Sequence, residues 1–161
     1  MVMINRYRLR KTDSKLYIIS YEISVCPICG DVLVVIGSRK RKVIGSESET
    51  LILIIRRLRC GLCRTIHHEL PDIIIPYKRH CAETIEKIVA GDNDGVCCDA
   101  RTLCRIKAWW AACILYFESV LTSLREKYGI VFSVQSAPKE IVRALVNAHL
   151  WLHTRSAFSP G

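Results

Sequence analysis

Cys26-Pro27-Ile28-Cys29-Gly30 and Cys60-Gly61-Leu62-Cys63 each hold two cysteines two residues apart, with residues 30 to 59 between the pairs. Four thiolates spaced this way can close tetrahedrally on one Zn²⁺, with Zn–S bonds of about 2.3 Å. Gly30 stands directly after the first pair, where a knuckle turn calls for positive φ, and Gly61 inside the second is assigned the same role. The pattern is that of a zinc ribbon, with a knuckle at the tip of each of two β-hairpins. A redox dithiol and plain buried cysteines are the alternatives. A redox Cys-x2-Cys normally comes once, beside a βαβ pattern, whereas two stand here beside short strand-like runs. Cys26, Cys29, Cys60 and Cys63 are therefore expected to bind one structural Zn²⁺, with no open position for catalysis.

Working outward, Leu16 to Val25 alternates Tyr17, Ile19, Tyr21, Ile23 and Val25 with Ser20, Glu22 and Ser24, the period of a half-buried strand. Val32 to Ile36 is a β-branched run leaving the first knuckle. Gly37 to Ser48, with Arg39, Lys40, Arg41 and Lys42 in succession, reads as a hairpin tip. Leu51 to Arg59 returns to the second knuckle through Arg56, Arg57 and Arg59, and Arg64 follows it. Ile66 to Ile75 is a further extended segment. The first fifteen residues, basic and polar, read as an arm or a lead into a strand. Together these predict a small antiparallel β domain over residues 1–76.

Residues 77–161 read as a helical domain, which makes the fold class α+β. Cys81 to Ala90 has helical apolar spacing, and Gly91 is a C-cap. A helix capped near Asp99 runs to about Lys127 and ends at Tyr128-Gly129. Ile130 to Val134 reads as extended. Ser136 is expected to cap a third helix, with Pro138 in its first turn, that runs to about Leu152. The first two helices are compatible with a helix-turn-helix, whose second helix would present Arg101, Thr102, Arg105 and Lys107 to DNA. A plain three-helix packing unit is the alternative, and Asp92, Asp94 and Asp99 would repel phosphate. Trp109 and Trp110 read as core anchors. His67 and His68 read as neighbours of the metal site or surface residues. Cys97, Cys98, Cys104 and Cys113 read as free thiols.

Half of the 161 residues are hydrophobic, which excludes a disordered chain. The nine cysteines and the absence of a signal-peptide core near Met1 point to a reducing cytoplasm rather than a disulfide scaffold. Ala108 to Phe117, the longest apolar run, is far short of the ~20 residues a bilayer needs, so no membrane partner is expected. The net charge of +9 is one-sided: residues 1–65 carry thirteen Lys/Arg against five Asp/Glu, residues 66–161 eleven against ten. Charge gathered around the cysteine pairs is the footprint expected of a nucleic-acid binder, with a soluble protein that is merely basic as the alternative. Arg39, Lys40, Arg41, Lys42, Arg56, Arg57, Arg59 and Arg64 are the expected phosphate contacts. No catalytic constellation or phosphate loop is present, so neither an enzyme nor a small-molecule substrate is expected.

Three stretches carry a resemblance: Cys26-Pro27-x-Cys29-Gly30; Arg56-Arg57-x-Arg59-Cys60-x2-Cys63-Arg64-Thr65-x-His67-x-Glu69-Leu70-Pro71; and Pro76-Tyr77-Lys78-Arg79. With Thr102-Leu103-x-Arg105-x3-Trp109 and Trp151-Leu152-His153-Thr154-Arg155-Ser156, the chain resembles a bacterial domain of unknown function in which a zinc ribbon precedes a helix-turn-helix. The resemblance covers roughly residues 20 to 156. The chain is also similar to the amino-terminal part of some insertion-sequence transposases, without their nuclease domain. This implies DNA binding beside a transposition system, or regulatory DNA binding. Ile106 departs from the pattern, standing where such recognition helices commonly carry Trp. A non-catalytic protein-interaction module within a mobile-element or nucleic-acid complex, with a protein partner from a transposition system, is the alternative function.

Overall fold

The computed structural model describes residues 1–129 and 137–152. Its elements are β1 (Val2–Ile4), β2 (Tyr7–Thr12), β3 (Lys15–Ser20), β4 (Leu33–Ile44), β5 (Thr50–Cys60), β6 (Ile66–Pro71), α1 (Ala82–Ala90), α2 (Ala100–Tyr128) and α3 (Pro138–Asn147). Leu51 to Ile55 of β5 is an unbroken run of Leu and Ile, which suits a central strand. One edge of β5 pairs with β4 along its whole length, from Leu33 opposite Cys60 to Ile44 opposite Thr50. The other edge is shared: β3 lies parallel beside Ile52 to Ile54, and β6 antiparallel beside Arg57 to Arg59. Beyond them, β2 pairs antiparallel with β3, and β1 parallel with β6.

The fold is thus α+β, as expected, but the sheet is mixed, with six strands, instead of a small antiparallel unit. The first fifteen residues are not an arm; they enter three strands. Val2, Met3 and Ile4 are buried at the sheet edge, and the Asn147 side chain of α3 closes that edge. It accepts from the Met3 N–H (2.7 Å) and donates to the Met3 carbonyl (2.9 Å). Three apolar residues are too short a signal to read as a strand alone. The expected hairpin tip over Gly37 to Ser48 is instead mostly strand: β4 runs through all four basic residues to Ile44, with a bulge between Val35 and Gly37. The expected strand to Val25 stops at Ser20, where the Ser20 hydroxyl accepts from the Glu22 N–H (3.0 Å) and turns the chain. Tyr21, Ile23 and Val25 are consequently exposed.

Two cores lie on opposite faces of the sheet, because successive strand residues point to opposite sides. Met3, Ile18, Leu53, Ile55 and Leu70 join the buried residues of all three helices in the larger core. This core draws on both sides of the expected boundary at residue 76. Val2, Leu33 and Leu58 form a second core with Cys26 and Cys60. Adjacent residues divide accordingly: Val2 goes to the cysteine side and Met3 to the helix side.

The helices follow their sequence signals closely. Gly91 and Gly129 end α1 and α2 in the left-handed conformation, at φ 82° and 66°. Asp99 caps α2, accepting from the Thr102 N–H (2.8 Å) and hydroxyl (2.8 Å). Trp109, Trp110, Phe117 and Trp151 form one aromatic cluster with ring centroids 5.3–6.5 Å apart, as core anchors should. For α3, however, Ala137 takes the N-cap position without a side-chain bond, and the helix ends at Asn147. Ser136 and Ile130 to Val134 lie outside the described residues, as do His153 to Ser156 of the resemblance. The connection between α1 and α2 spans nine residues. A helix-turn-helix uses three or four.

Candidate metal centre

Local chain geometry brings the four cysteines together. β4 and β5 leave the two knuckles as a paired ribbon, which places Leu33 beside Cys60. The first knuckle closes through Gly30 N–H to the Cys26 carbonyl (2.8 Å) and Cys26 N–H to the Asp31 carbonyl (2.7 Å), with Gly30 at φ 77°. In the second, the Cys63 N–H points at Cys60 Sγ (3.3 Å), and the Cys60 N–H donates to the Thr65 carbonyl (3.1 Å). The left-handed residue here is Arg64, at φ 61°, one place after the last cysteine as Gly30 is. Gly61 is not at positive φ; the expectation fails at that position. Gly61 instead lets Asp31 approach, since a Cβ there would lie 3.2 Å from Asp31 Oδ2. That oxygen accepts from the Leu62 N–H (3.1 Å) and lies 3.7 Å from Cys60 Sγ.

The four Sγ atoms all lie within 4.8 Å of one another and could hold a metal ion. Cys26 to Cys63 is 3.6 Å and Cys29 to Cys60 is 3.4 Å. A tetrahedral ion with bonds of about 2.3 Å sets its sulfurs about 3.8 Å apart, so the donor set fits. Burial pushes the Cys60 thiol up to about 12, while hydrogen bonds from Thr65 pull Cys63 down to about 6. His67 is buried and its Nε2 lies 3.5 Å from Cys26 Sγ, so of the two histidines expected near the site it is the one that touches it. Burial lowers its pKa to about 4. His68, on the opposite side of β6, faces Arg57, the residue opposite it in β5.

One strong interaction beside the site was not foreseen. Glu69 is fully buried, and Arg56 holds it bidentately through Nε and Nη2, both at 2.6 Å. The Ser24 hydroxyl donates to the same carboxylate (2.7 Å). Asp31, Glu69 and Ser24 carry no spacing signal. A carboxylate in phase with His67 on a β-strand is the one clue to burial, and the basic run around Arg56 obscures it.

The expected phosphate contacts do not share one surface. Strand alternation sends Arg39, Arg41 and Arg57 to the helix side, in register with Ile55, Leu53 and Gly37, and Lys40 and Lys42 to the other. Arg41 is half-buried and donates through Nη2 to the Lys78 carbonyl (3.2 Å). Arg56 is committed to Glu69. Arg59 is exposed, and Arg64 lies at the second knuckle. On α2, Arg101, Arg105 and Lys107 are exposed, whereas the Thr102 hydroxyl is bound to Asp99. Among the described residues, Arg56 is the only one of the expected basic contacts in an ion pair. No described helix is long and apolar enough to cross a membrane.

No curated protein and no solved structure matches this chain. A family model described as a domain of unknown function (DUF6431) matches residues 26–106. The match begins at Cys26, the first of the four clustered cysteines, and ends in the second turn of α2, which is narrower than the expected 20 to 156. Nothing in it links the chain to transposases. The matched span holds the four clustered cysteines, the long β4–β5 ribbon and α1, and the chain belongs to this family of unknown function.

Proposed function

We propose that this is a non-catalytic, cytoplasmic, zinc-dependent DNA-binding protein in which one structural Zn²⁺ on Cys26, Cys29, Cys60 and Cys63 holds a basic ribbon in shape. One observation carries the reading: the two strands that leave the knuckles bear Arg39, Lys40, Lys42, Arg57 and Arg59, and none of these is in an ion pair among the described residues. Thiolate ligands favour zinc over hard cations, and four of them leave no open position, which supports a structural role. Arg101, Arg105 and Lys107 on the first turns of α2 are candidate groove contacts. A place beside a transposition system rests on the resemblance alone. The test is DNA affinity against salt, with and without chelator. Binding should fall steeply with salt, because each phosphate contact releases counterions. Affinity that is flat in salt, or unchanged after the metal is stripped, would remove the proposal.

A second reading is a protein-interaction module. It is favoured by apolar side chains left bare around the knuckles, among them Ile23 (80% exposed), Leu62 (71%) and Val34 (62%). Failure to shift random-sequence DNA at moderate salt would turn the choice toward it.

A further inference from the structure

We propose that the face of the sheet turned away from the helices is a platform for single-stranded nucleic acid. Tyr17 would be the stacking ring, and Arg8, Arg10, Lys15, Lys40 and Lys42 the phosphate contacts. The proposal rests on the DNA-binding reading above and adds the surface and the strandedness.

Register lays the face out. Across β4, β5, β3 and β2, one row runs Lys42, Ile52, Lys15, Thr12, and the next Lys40, Ile54, Tyr17, Arg10. Arg8 opposite Ile19 continues the same side. These positions alternate with Ile18, Leu53 and Val43, which point into the helix-side core, so they face the other way. Tyr17, Ile19, Ile52 and Ile54 are half-buried and, among the described residues, are not part of the core that the helices pack, and Arg8, Arg10, Lys40 and Lys42 are exposed. No carboxylate occupies either row. The nearest in sequence stand in the turns: Asp13 between β2 and β3, and Glu49, which folds back to accept from the Glu47 N–H (3.0 Å). Arg10 lies over the Tyr17 ring, 5.6 Å from its centroid. A floor of one aromatic ring and aliphatic side chains, with cations along both margins and no anion among them, complements a polyanion whose bases can splay.

Width decides the strandedness. Four adjacent strands at about 4.8 Å spacing separate the outer Cα lines by about 14 Å before side chains are added. That is wider than the major groove of about 12 Å, so this face cannot enter a duplex as a helix or two-stranded ribbon does. Single strands need no groove: their bases stack on side chains while a basic margin follows the backbone.

Fluorescence anisotropy of the purified full chain, with labelled oligothymidylate and with a duplex of equal length, tests the proposal. The single strand should bind more tightly. Tyr17→Ala should weaken it about tenfold, and Tyr17→Phe should not, because stacking needs the ring and not the hydroxyl. Removing both Lys40 and Lys42 as alanines should lower the slope of log affinity against log salt by about 1.4. Arg125→Ala, an exposed change in the last turn of α2 away from both proposed surfaces, should leave single-strand binding unchanged. Circular dichroism checks folding, and the two exposed lysines decide the matter if Tyr17→Ala does not fold. Two results would overturn the platform while leaving the DNA-binding reading intact. One is duplex binding alone, lost in Arg105→Ala; the other is single-strand binding indifferent to the Lys40 and Lys42 changes. Binding to neither probe removes both.

Discussion

Arg64 and Gly61 exchange the roles that their residue types suggest. An L-residue in the left-handed region costs about 1–2 kcal/mol, and Arg64 sits there at φ 61°. Arg64→Gly should therefore hold or raise thermal stability by up to about 1 kcal/mol, whereas Arg64→Val should lower it by more, since a β-branched residue tolerates positive φ poorly. Gly61→Ala should destabilise by at most about 1 kcal/mol, because its Cβ would press on Asp31 Oδ2 and lengthen that oxygen's bond from the Leu62 N–H. Urea unfolding of the three variants checks the order. The Arg56–Glu69 pair is the larger effect. Arg56→Ala strands a carboxylate that is completely buried and should cost about 3–5 kcal/mol. Adding Glu69→Leu should restore most of that loss. A double variant no more stable than Arg56→Ala would show that the pair is not the cause.

At the scale of elements, α2 is tied to the loop before α1 by Lys78, whose ammonium lies 3.6 Å from the Trp109 ring centroid. The ring face favours the cation, yet burial outweighs it and lowers the Lys78 pKa from 10.5 to about 8. Between those values the unfolded chain holds the proton and the folded chain does not, so this group makes stability rise as pH climbs through that window. Lys78→Met should remove the rise, measured as the difference in unfolding free energy between wild type and variant across pH 8 to 10.5. The Asp99 cap is a smaller term: Asp99→Ala should cost about 1 kcal/mol of α2 stability. Both features lie at the N-terminal half of α2, the part nearest any contact that Arg101 or Arg105 makes.

For the whole molecule, two cores on opposite faces mean that metal loss should be local. Trp109, Trp110 and Trp151 all belong to, or pack against, the helix-side core, and Cys26, Cys60 and Cys63 to the other. Cys60→Ser, or chelation, should abolish zinc binding by elemental analysis and speed hydrogen exchange at residues 24–35 and 58–67. Tryptophan emission should hardly change. Emission shifting in step with metal loss would mean that the cores unfold as one. The cysteine spacing alone predicted that the four thiols would cluster, because two knuckles are a local pattern. The helix caps Asp99, Gly91 and Gly129 were legible for the same reason: each acts within a turn of the chain. What the sequence could not determine depends on pairing at a distance. Parallel pairing of β1 with β6 and β3 with β5 rests on contacts between segments far apart in the chain. The basic run Arg39 to Lys42 reads as one patch, but β alternation splits it between two faces, and only strand register says which lysines meet Tyr17. Arg56 reads as a surface cation until Glu69, thirteen residues on, is folded beneath it. Local patterning determined the four-cysteine cluster and the helices. Tertiary pairing decided which charges remain free to act.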